Sequence, residues 1–466
     1  MTTTHGGPSA GTWRAFQDSV DGDVLRPGMP GFDTAHAPAF GGGGTAVPLA
    51  VVRCHTTADV AEAVGLARRH RLPAVPRSGG HCFVRRSSTS GLLIDVGPMR
   101  AVAVDGDVVT VGAGARLGEL AGALGTHGLA LPAGCGPTVG VAGLTLGGGF
   151  GILGRSHGLM ADRLLAARVV LADGRIVECD EHHDGDLFWA LRGAGGGQFG
   201  IVTALTFRAV AAPDATAFHA VWPVAAAARM LDAWQHWSPS APDRLAASLL
   251  LVAGPEPEEQ PVVNLFGAML DTEPATTAAL ERFAGVVGSD PVSCTAATRD
   301  YPETKRYLAD LGARMGASIP AGLQASRSEF VARPLSSSAV EALIGHFTTD
   351  RTPGQTRELD LSPWGGAYAR TPAAATAFAH RDASFLLKHA VAAPRGGDRA
   401  AAETWLDRSW GIAHPWGTGG VYPNFPDPRL TDGPRAYHGN NLERLRQVKS
   451  RYDADEFFRF PQSIRP

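Results

Sequence analysis

Pro132-Ala-Gly-Cys-Gly-Pro-Thr-Val-Gly-Val-Ala-Gly-Leu-Thr-Leu-Gly-Gly-Gly-Phe-Gly151 carries eight glycines in twenty residues. Glycine has no Cβ atom, so such a segment lets the backbone approach a flat ring or a diphosphate closely. The N–H groups of such turns also form concave sites for anions. A fold with many tight turns explains poorly why a second dense cluster, Gly193–Gly200, follows in the same region. The two clusters together indicate a bound cofactor.

Short strands, helices and glycine turns alternate around this segment. Thr57 is a plausible N-cap for a helix whose apolar residues Val60, Val64 and Ala67 recur at helical spacing. Asp105-Gly106 and Asp173-Gly174 are hairpin signals, which predict antiparallel strands on either side. The other predicted helices here are 116–127 and 186–191, and the predicted strands are 49–53, 74–77, 92–96, 101–104, 108–111, 168–171, 175–178 and 201–207.

The pattern changes near residue 211, where glycine clusters become rarer. Strand-like runs at Leu249–Val252 and Val262–Leu270 mix with Ala-rich helical stretches, which favours a second domain. The predicted helices are 224–236, 276–286, 338–347 and, near the end, 442–452. The chain therefore divides into an irregular N-terminal segment (1–45), a cofactor domain (46–210), a second domain (211–404) and a C-terminal segment (405–466).

Composition limits the class of protein. Apolar residues make up 44% of the 466 residues, enough for sizeable cores, and a net charge of −3 argues against a general nucleic-acid binder. Five cysteines without a C-x-x-C pair do not form a disulfide framework. No apolar run predicts a membrane span, and the N-terminus lacks a conventional signal peptide. We expect a cytoplasmic monomer or homodimer, with a non-standard export route left open.

A nicotinamide-binding protein is the first alternative. Gly149-Phe-Gly151-Ile-Leu-Gly154 matches the dinucleotide fingerprint, with Asp173 about twenty residues further on. That fingerprint needs a strand before it, then a helix of about three turns and a parallel strand. Gly158 interrupts the following stretch and Asp173-Gly174 predicts an antiparallel hairpin, so the context argues against this alternative.

Two further residues are ordinary on their own. His81, after Ser78-Gly-Gly80, would usually be a structural hydrogen-bonding group, and Cys135 a buried thiol. His182-His183 lies in a polar, acidic stretch and is interpreted as a solvated loop, so no metal site is predicted.

Taken together, the motifs resemble the FAD-binding domain of berberine-bridge-enzyme-like oxidases. The resemblance extends from about residue 25 to the end of the chain. The matching segments are Val75–His81, Pro132–Gly151, Asp186–Val202, Tyr422–Asp427, Tyr437–Asn440, Leu445–Lys449 and Gln462–Ile464. It implies an α+β fold: a two-part FAD-binding domain, completed by the C-terminal segment, and a substrate domain with an antiparallel sheet backed by helices.

The resemblance also implies a doubly linked cofactor. His81 would bond to the 8α-methyl group of FAD and Cys135 to ring carbon 6, although Gly136 stands where the family often has Pro. The implied cofactor-binding residues are His81, Cys135, Arg77, Ser78, Gly79, Gly80, Gly134, Thr138, Val139, Gly140, Gly143, Gly147, Gly148, Gly149, Gly151, Gly200, Ile201, Val202, Tyr422 and Asn424.

Catalytic residues are expected in the C-terminal half. Tyr422 resembles the family tyrosine over the flavin ring and is a candidate base, with a stacking or hydrogen-bonding role as its alternative. Asn424 is a candidate to orient flavin or substrate. Tyr368 is either a second pocket tyrosine or a packed core residue, and Lys388 and His389 lie in a segment expected to face the flavin.

The activity implied is removal of a hydride from an alcohol, sugar hemiacetal or related group. Val139 resembles the position where a small side chain admits oxygen, so O2 is the expected acceptor and hydrogen peroxide the product. A bulky natural product or oligosaccharide suits an open site. A dehydrogenase with another acceptor, an oxidative cyclase, an amine oxidase and a non-catalytic flavin-binding protein are the alternatives; bleaching of the flavin by substrate would separate enzyme from binder.

Overall fold

The computed structural model describes residues 7–39, 46–316 and 322–466. The strands are β1 Asp23–Leu25, β2 Ala50–Arg53, β3 Ala74–Arg77, β4 Leu92–Asp95, β5 Val102–Asp105, β6 Val108–Gly112, β7 Leu129–Ala130, β8 Leu164–Val170, β9 Ile176–Asp180, β10 Ile201–Arg208, β11 Val210–Ala211, β12 Ala215–Pro223, β13 Leu245–Ala253, β14 Val262–Met269, β15 Ser293–Arg299, β16 Gly322–Val331, β17 Thr356–Pro363 and β18 Phe385–Pro394. The helices are α1 Ala10–Gln17, α2 Phe32–His36, α3 Thr57–Arg69, α4 Leu117–Gly125, α5 Val141–Leu146, α6 Gly154–His157, α7 Gly185–Leu191, α8 Ala227–Ser240, α9 Glu273–Val287, α10 Tyr301–Met315, α11 Ser337–Thr348, α12 Ala367–Arg370, α13 Arg399–Ala413, α14 Gly433–His438 and α15 Leu442–Tyr452.

A four-stranded sheet forms the first part of the molecule, in the order β1-β2-β4-β3. β2 and β3 run parallel to β4, and β1 pairs antiparallel with β2. The sequence predicts an irregular N-terminal segment. This prediction is wrong for the described residues of the segment, which form α1, β1 and α2. β1 has only three residues, too few to show a period-2 pattern. The run Gly41–Gly44 lies outside the described residues.

Helix α3 follows β2 and is capped one residue earlier than predicted. The Thr56 hydroxyl accepts a hydrogen bond from the Asp59 N–H at 3.2 Å, and the Asp59 carboxylate accepts one from the Thr56 N–H at 3.1 Å. This reciprocal pair is a capping box, so Thr56 and not Thr57 is the N-cap.

A five-stranded antiparallel sheet forms the second part, in the order β5-β6-β10-β8-β9. Both predicted hairpins are confirmed: β5 pairs with β6 across Asp105-Gly106, and β8 with β9 across Asp173-Gly174. These two sheets share one apolar core, to which the C-terminal helix α15 adds Leu445 and Val448.

A seven-stranded antiparallel sheet follows, in the order β15-β12-β14-β13-β17-β18-β16. Helices α8, α9, α11 and α13 pack on one face and bury Trp234, Phe283, Phe347 and Trp405 in a second core. The predicted α+β class, with an antiparallel sheet backed by helices, is confirmed. Helix α13 crosses the boundary predicted between residues 404 and 405 without a break, because its apolar face belongs to this core.

Within the described residues, no helix combines the length and apolar character needed to cross a bilayer.

Candidate active site

The loop after β3 crosses the loop before α5 at Gly79 and Gly140. A Cβ atom on Gly79 would lie 2.3 Å from the backbone nitrogen of Gly140, and one on Gly140 would lie 2.4 Å from that of Gly79. Both separations are far inside van der Waals contact, so this crossing requires glycine on both sides. The crossing brings the chain around His81 next to the loop that carries Cys135.

His81 is partly buried at this crossing, and its imidazole hydrogen-bonds to the backbone of Thr138. Burial and the positive charge of Arg116 lower the pKa of His81, and the Thr138 hydrogen bond offsets this only in part. Arg116 itself donates to the Thr138 carbonyl at 3.2 Å. His81 is therefore held as the neutral imidazole, the form that keeps a lone pair for bond formation.

The residues before His81 fix the shape of its loop. The Arg77 guanidinium donates to the carbonyls of Ala35, Ala37 and Ser87 at 2.8–3.2 Å, so this side chain is committed to the protein backbone. Ser78 donates to the Ala113 carbonyl at 2.6 Å. Gly80 has a φ of +68°, and its carbonyl accepts from the Ala39 N–H at 3.3 Å.

Cys135 is half-buried in the second loop. It packs against an apolar cluster formed by Ala215, Ala268, Leu308 and Leu311. The next residue, Gly136, is exposed, and its carbonyl accepts from the Val139 N–H at 3.3 Å. The loop is thus a tight turn that holds Cys135 near the crossing.

Tyr422 is buried, with 1% of its surface exposed, against the glycine tract. Its hydroxyl oxygen accepts hydrogen bonds from the Gly149 N–H and the Asn424 amide, both at 3.0 Å. Gly149 adopts a φ of +78°, which favours glycine and turns its N–H toward Tyr422. Burial raises the pKa of Tyr422 to about 12, although these donors and the Phe150 backbone act to lower it.

Asn424 joins this tyrosine to helix α5. Its amide also donates to the Leu144 carbonyl at 2.9 Å. A Cβ atom on Gly147 would lie 2.2 Å from the Asn424 side-chain oxygen, so the glycine makes room for the amide. Asn424 thus fixes the tyrosine hydroxyl relative to the glycine tract.

Aromatic rings enclose Tyr422. The ring centroids of Phe425, Phe150, Phe378 and Phe330 lie 5.1, 5.3, 6.1 and 6.4 Å from its own. This apolar surrounding is the physical reason for the raised pKa, since it solvates a phenolate poorly.

Tyr368 has the contacts of a packed core residue. Its ring stacks on Trp364 at 4.4 Å. Its hydroxyl donates to the Gly151 carbonyl at 3.1 Å and accepts from the Gly151 N–H at 3.3 Å. Burial raises the pKa of Tyr368. Its role in catalysis stays a prediction.

Lys388 and His389 point to opposite faces of β18, as neighbours in a strand do. The Lys388 ammonium lies 3.1 Å from the Asp360 carboxylate and 5.4 Å from the Phe425 ring, on the face toward Tyr422. His389 is fully buried on the helix side, where Nδ1 lies 2.8 Å from the Ser409 hydroxyl. Burial lowers the pKa of His389 to about 3. Its side chain lies on the face of β18 away from Tyr422, so the two residues of this segment do not face one site together.

The remaining predicted residues occupy four places. Gly148, with a φ of +115°, approaches the Phe378 ring, and Gly134 offers its carbonyl to Lys305. Gly143 lies on the exposed side of α5. The five-stranded sheet holds the last group: β10 begins with Ile201 and Val202, and Gly200 directly precedes it. A Cβ atom on Gly200 would lie 2.5 Å from the Val169 side chain.

The structure does not support the nicotinamide alternative. Gly154 begins helix α6, which has only four residues. The next two strands, β8 and β9, are antiparallel neighbours, so the required strand, long helix and parallel strand do not follow.

Exposed His183 bonds to Asp180, and within the described residues no group of three or more His, Cys, Asp or Glu could hold a metal ion.

Known proteins resemble this chain in both sequence and fold. Residues 48–180 match the FAD binding domain family, and residues 421–465 match the berberine and berberine-like family. The uncharacterized FAD-linked oxidoreductase YvdP of Bacillus subtilis is 32% identical over 427 residues, spanning 90% of this chain and 92% of that protein. The chitooligosaccharide oxidase of Gibberella zeae is 30% identical over 440 residues, spanning 90% and 87%. The solved structure of BBE-like 1 from Physcomitrella patens superposes with a TM-score of 0.85 at 26% identity, covering 97% of this chain and 99% of that one.

The chain belongs to the berberine bridge enzyme-like family of FAD-linked oxidoreductases. It is a flavoenzyme that uses FAD to oxidise its substrate. The residues present fit this cofactor, because the close crossing at Gly79 and Gly140 brings the His81 loop, whose imidazole is held neutral, next to the loop that carries Cys135.

Three groups at the site carry no sequence signal of their own. Arg116 is the N-cap of α4 and Lys305 lies in α10, positions where a basic residue usually faces solvent, yet they contact the loops of His81 and Cys135. Phe378 belongs to no recognisable sequence motif, but its ring packs on Tyr422. Only the tertiary fold brings these residues to the site.

Proposed function

We propose that the protein is an oxidase that holds FAD by two covalent bonds, from His81 and Cys135, and passes substrate electrons to O2. The observation that carries this proposal is the loop crossing at Gly79 and Gly140. It places a neutral histidine and a half-buried cysteine on adjacent loops.

Tyr422 is proposed to take the proton of the substrate hydroxyl. When bound, FAD supplies the acceptor for the hydride. N–H donors from Gly149, Phe150 and Asn424 all favour the negatively charged oxygen of Tyr422. The aromatic enclosure opposes them, so the phenolate forms only as pH rises toward about 12. Asn424 orients the Tyr422 hydroxyl, and the aromatic rings around Tyr422 keep bulk water away from this hydroxyl.

The sheet face next to Tyr422 supports a substrate rich in hydroxyl groups. Ser328, Lys388 and Asp360 are register partners on β16, β18 and β17, so they form one polar row across three strands. Glu358 stands two residues from Asp360, on the same face of β17. Alternating carboxylate, ammonium and hydroxyl groups suit the hydroxyls of a sugar. The similarity to a chitooligosaccharide oxidase agrees with an alcohol or sugar hemiacetal as the reacting group.

Val139 is proposed to leave oxygen access to the flavin. It is half-buried between the crossing and α4, where its carbonyl accepts from the Leu117 N–H at 2.9 Å. Measuring hydrogen peroxide against substrate consumed tests the acceptor. A ratio of one supports an oxidase, and a ratio near zero with activity on dye or quinone acceptors would show a dehydrogenase.

The covalent bonds are tested by denaturing the purified protein in acid. We expect yellow colour to stay on the polypeptide, and flavin mass on the peptides that contain His81 and Cys135. His81→Ala and Cys135→Ala should each retain one bond. Complete release of flavin from the parent protein would overturn the double linkage.

Substrate identity is tested by anaerobic bleaching of the flavin. Oligosaccharides, glycosylated natural products and amines are compared at equal concentration. Bleaching by sugars alone supports the proposal, whereas bleaching by amines alone would reassign the reaction to an amine oxidase.

A further inference from the structure

Helix α10 of the substrate domain lies against the loop that carries Cys135. Tyr301 donates from its hydroxyl to the Leu131 carbonyl at 3.3 Å. Lys305, one turn later, donates from its ammonium to the Ala133 carbonyl at 2.8 Å and also to the Gly134 carbonyl. One helix therefore holds three carbonyls of the loop just before the cysteine.

Lys305 is an unusual residue for such a place. It is 7% exposed, and the partners of its ammonium are carbonyl oxygens. Burial lowers the pKa of Lys305, and the nearby Cys135 sulfur acts in the opposite direction. Burying an ammonium without a carboxylate is costly, so this position points to a role beyond packing.

We propose that Lys305 is the positioning residue for the bond between Cys135 and the flavin. It fixes the two carbonyls that precede the cysteine and places a positive charge beside the thiolate that must form. This inference rests on the double linkage proposed above. Tyr301 and Tyr307 also lie near Cys135 and carry no positive charge. Arg299 lies over the Tyr307 ring at 4.3 Å, and His81 and Arg116 lie at the neighbouring loop crossing.

The linkage balances with O2 as oxidant. A bond forms between the Cys135 sulfur and ring carbon 6, while the S–H and C–H bonds break. Two protons and two electrons leave the pair, and the electrons reach O2 through the ring. One hydrogen peroxide is released for each bond formed. The thiolate is the competent nucleophile, so a nearby cation should accelerate this step.

The test compares Lys305→Met, Lys305→Gln and Tyr301→Phe with the parent protein. Each is expressed identically, digested, and analysed by mass spectrometry for flavin on the Cys135 peptide and on the His81 peptide. Protein with incomplete linkage is then incubated in air at pH 7 and pH 9, and bond formation is followed over time. Tyr301→Phe is the matched control, because it removes a bond from the same helix to the same loop without changing charge.

We expect both Lys305 variants to keep flavin on His81 and to link Cys135 roughly tenfold more slowly at pH 7. Lys305→Gln keeps an N–H donor, so an equal loss in both variants identifies charge as the cause. At pH 9 the rate should recover, since a higher pH favours the nucleophilic thiolate without help from the lysine charge. Tyr301→Phe should link at the parent rate.

Three outcomes would overturn the inference. Normal linkage in Lys305→Met at pH 7 would show that the lysine has no role. Slow linkage that stays equally slow at pH 9 would show a structural role only. A parent protein without flavin on Cys135 would overturn the proposed double linkage itself, and this result is distinct from the other two.

Discussion

Tyr422 illustrates how two opposing effects set the chemistry of one atom. Three N–H groups favour its phenolate, and a shell of aromatic rings disfavours it. The rings have the larger effect, so the tyrosine is protonated at neutral pH. A base with a pKa of about 12 gains its reactive form only as pH rises.

We therefore expect the rate of flavin reduction to rise by about tenfold per pH unit in the alkaline range below 12, where chemistry limits the rate. Tyr422→Phe should retain the flavin but lower the reduction rate by roughly 10²- to 10⁴-fold, and it should lose the pH slope. Anaerobic stopped-flow absorbance measures both. A variant as fast as the parent would remove Tyr422 as the base.

Asn424 offers a milder perturbation of the same atom. Replacing it by Leu removes one N–H donor to Tyr422, so the phenolate becomes less favourable and the pH profile shifts to higher pH. At a fixed pH below the shifted profile, reduction should slow by roughly tenfold. Asn424→Asp also removes the donor and adds a carboxylate beside the hydroxyl, so it should shift the profile further in the same direction. An unchanged pH profile in Asn424→Leu would show that this amide does not act through Tyr422.

The sequence predicts residues when a local motif carries them. His81, Cys135 and Tyr422 stand in long ordered motifs that resemble one family, so the sequence is sufficient to propose them as site residues. Lys305 cannot be selected in this way, because a lysine on an amphipathic helix is ordinarily solvated. His389 is a similar case. Side chains alternate along a strand, so the sequence indicates that Lys388 and His389 lie on opposite faces, but it does not tell which of them lies on the face toward Tyr422.

At the scale of elements, helices α6 and α12 meet through Tyr368. Its hydroxyl bonds to both backbone groups of Gly151, and a Cβ on Gly154 would collide with the tyrosine ring. This contact joins the glycine tract to the segment that follows β17. This contact gives Tyr368 a structural role and does not require Tyr368 to take part in catalysis.

Tyr368→Phe tests this interpretation. The ring and its stacking on Trp364 remain, while two hydrogen bonds are lost, so the free energy of unfolding should fall by about 1–3 kcal/mol. The rate of flavin reduction should stay within about twofold of the parent if the residue only packs. Urea unfolding and stopped-flow reduction separate the two roles. A reduction rate lowered a hundredfold with unchanged stability would instead make Tyr368 catalytic.

Elements long enough to show a period can be predicted from the sequence. Helical spacing predicts α15 at 442–452 and the apolar run predicts β3 at 74–77, and the structure confirms both. β1 escapes prediction because only its pairing with β2 makes its three residues a strand. The extent of α13 depends on packing against β18 and α11, which the sequence does not display.

At the scale of the whole molecule, buried arginines join the cofactor and substrate halves. Arg155 is 1% exposed, and it donates to the carbonyls of Pro239, Ala241 and Trp364. Arg381, also 1% exposed, donates to both carboxylate oxygens of Asp162 at 2.7 and 2.8 Å. Residue 162 follows the glycine tract, and residue 381 lies close to Phe378 beside Tyr422. The pair therefore ties the cradle to the aromatic cluster of the site.

Breaking this pair should loosen the two halves. Asp162→Asn leaves the buried Arg381 charge without its partner, so the free energy of unfolding should fall by about 3–5 kcal/mol. Removing both charges in Asp162→Asn with Arg381→Met should recover part of that loss, because the penalty comes from the uncompensated guanidinium and not from the missing bond alone. Denaturant unfolding followed by tryptophan fluorescence measures stability, and flavin fluorescence reports separation of the halves around the cofactor. If the double variant is no more stable than Asp162→Asn, the guanidinium does not carry the cost, and the halves are held together by their apolar contacts and by Arg155.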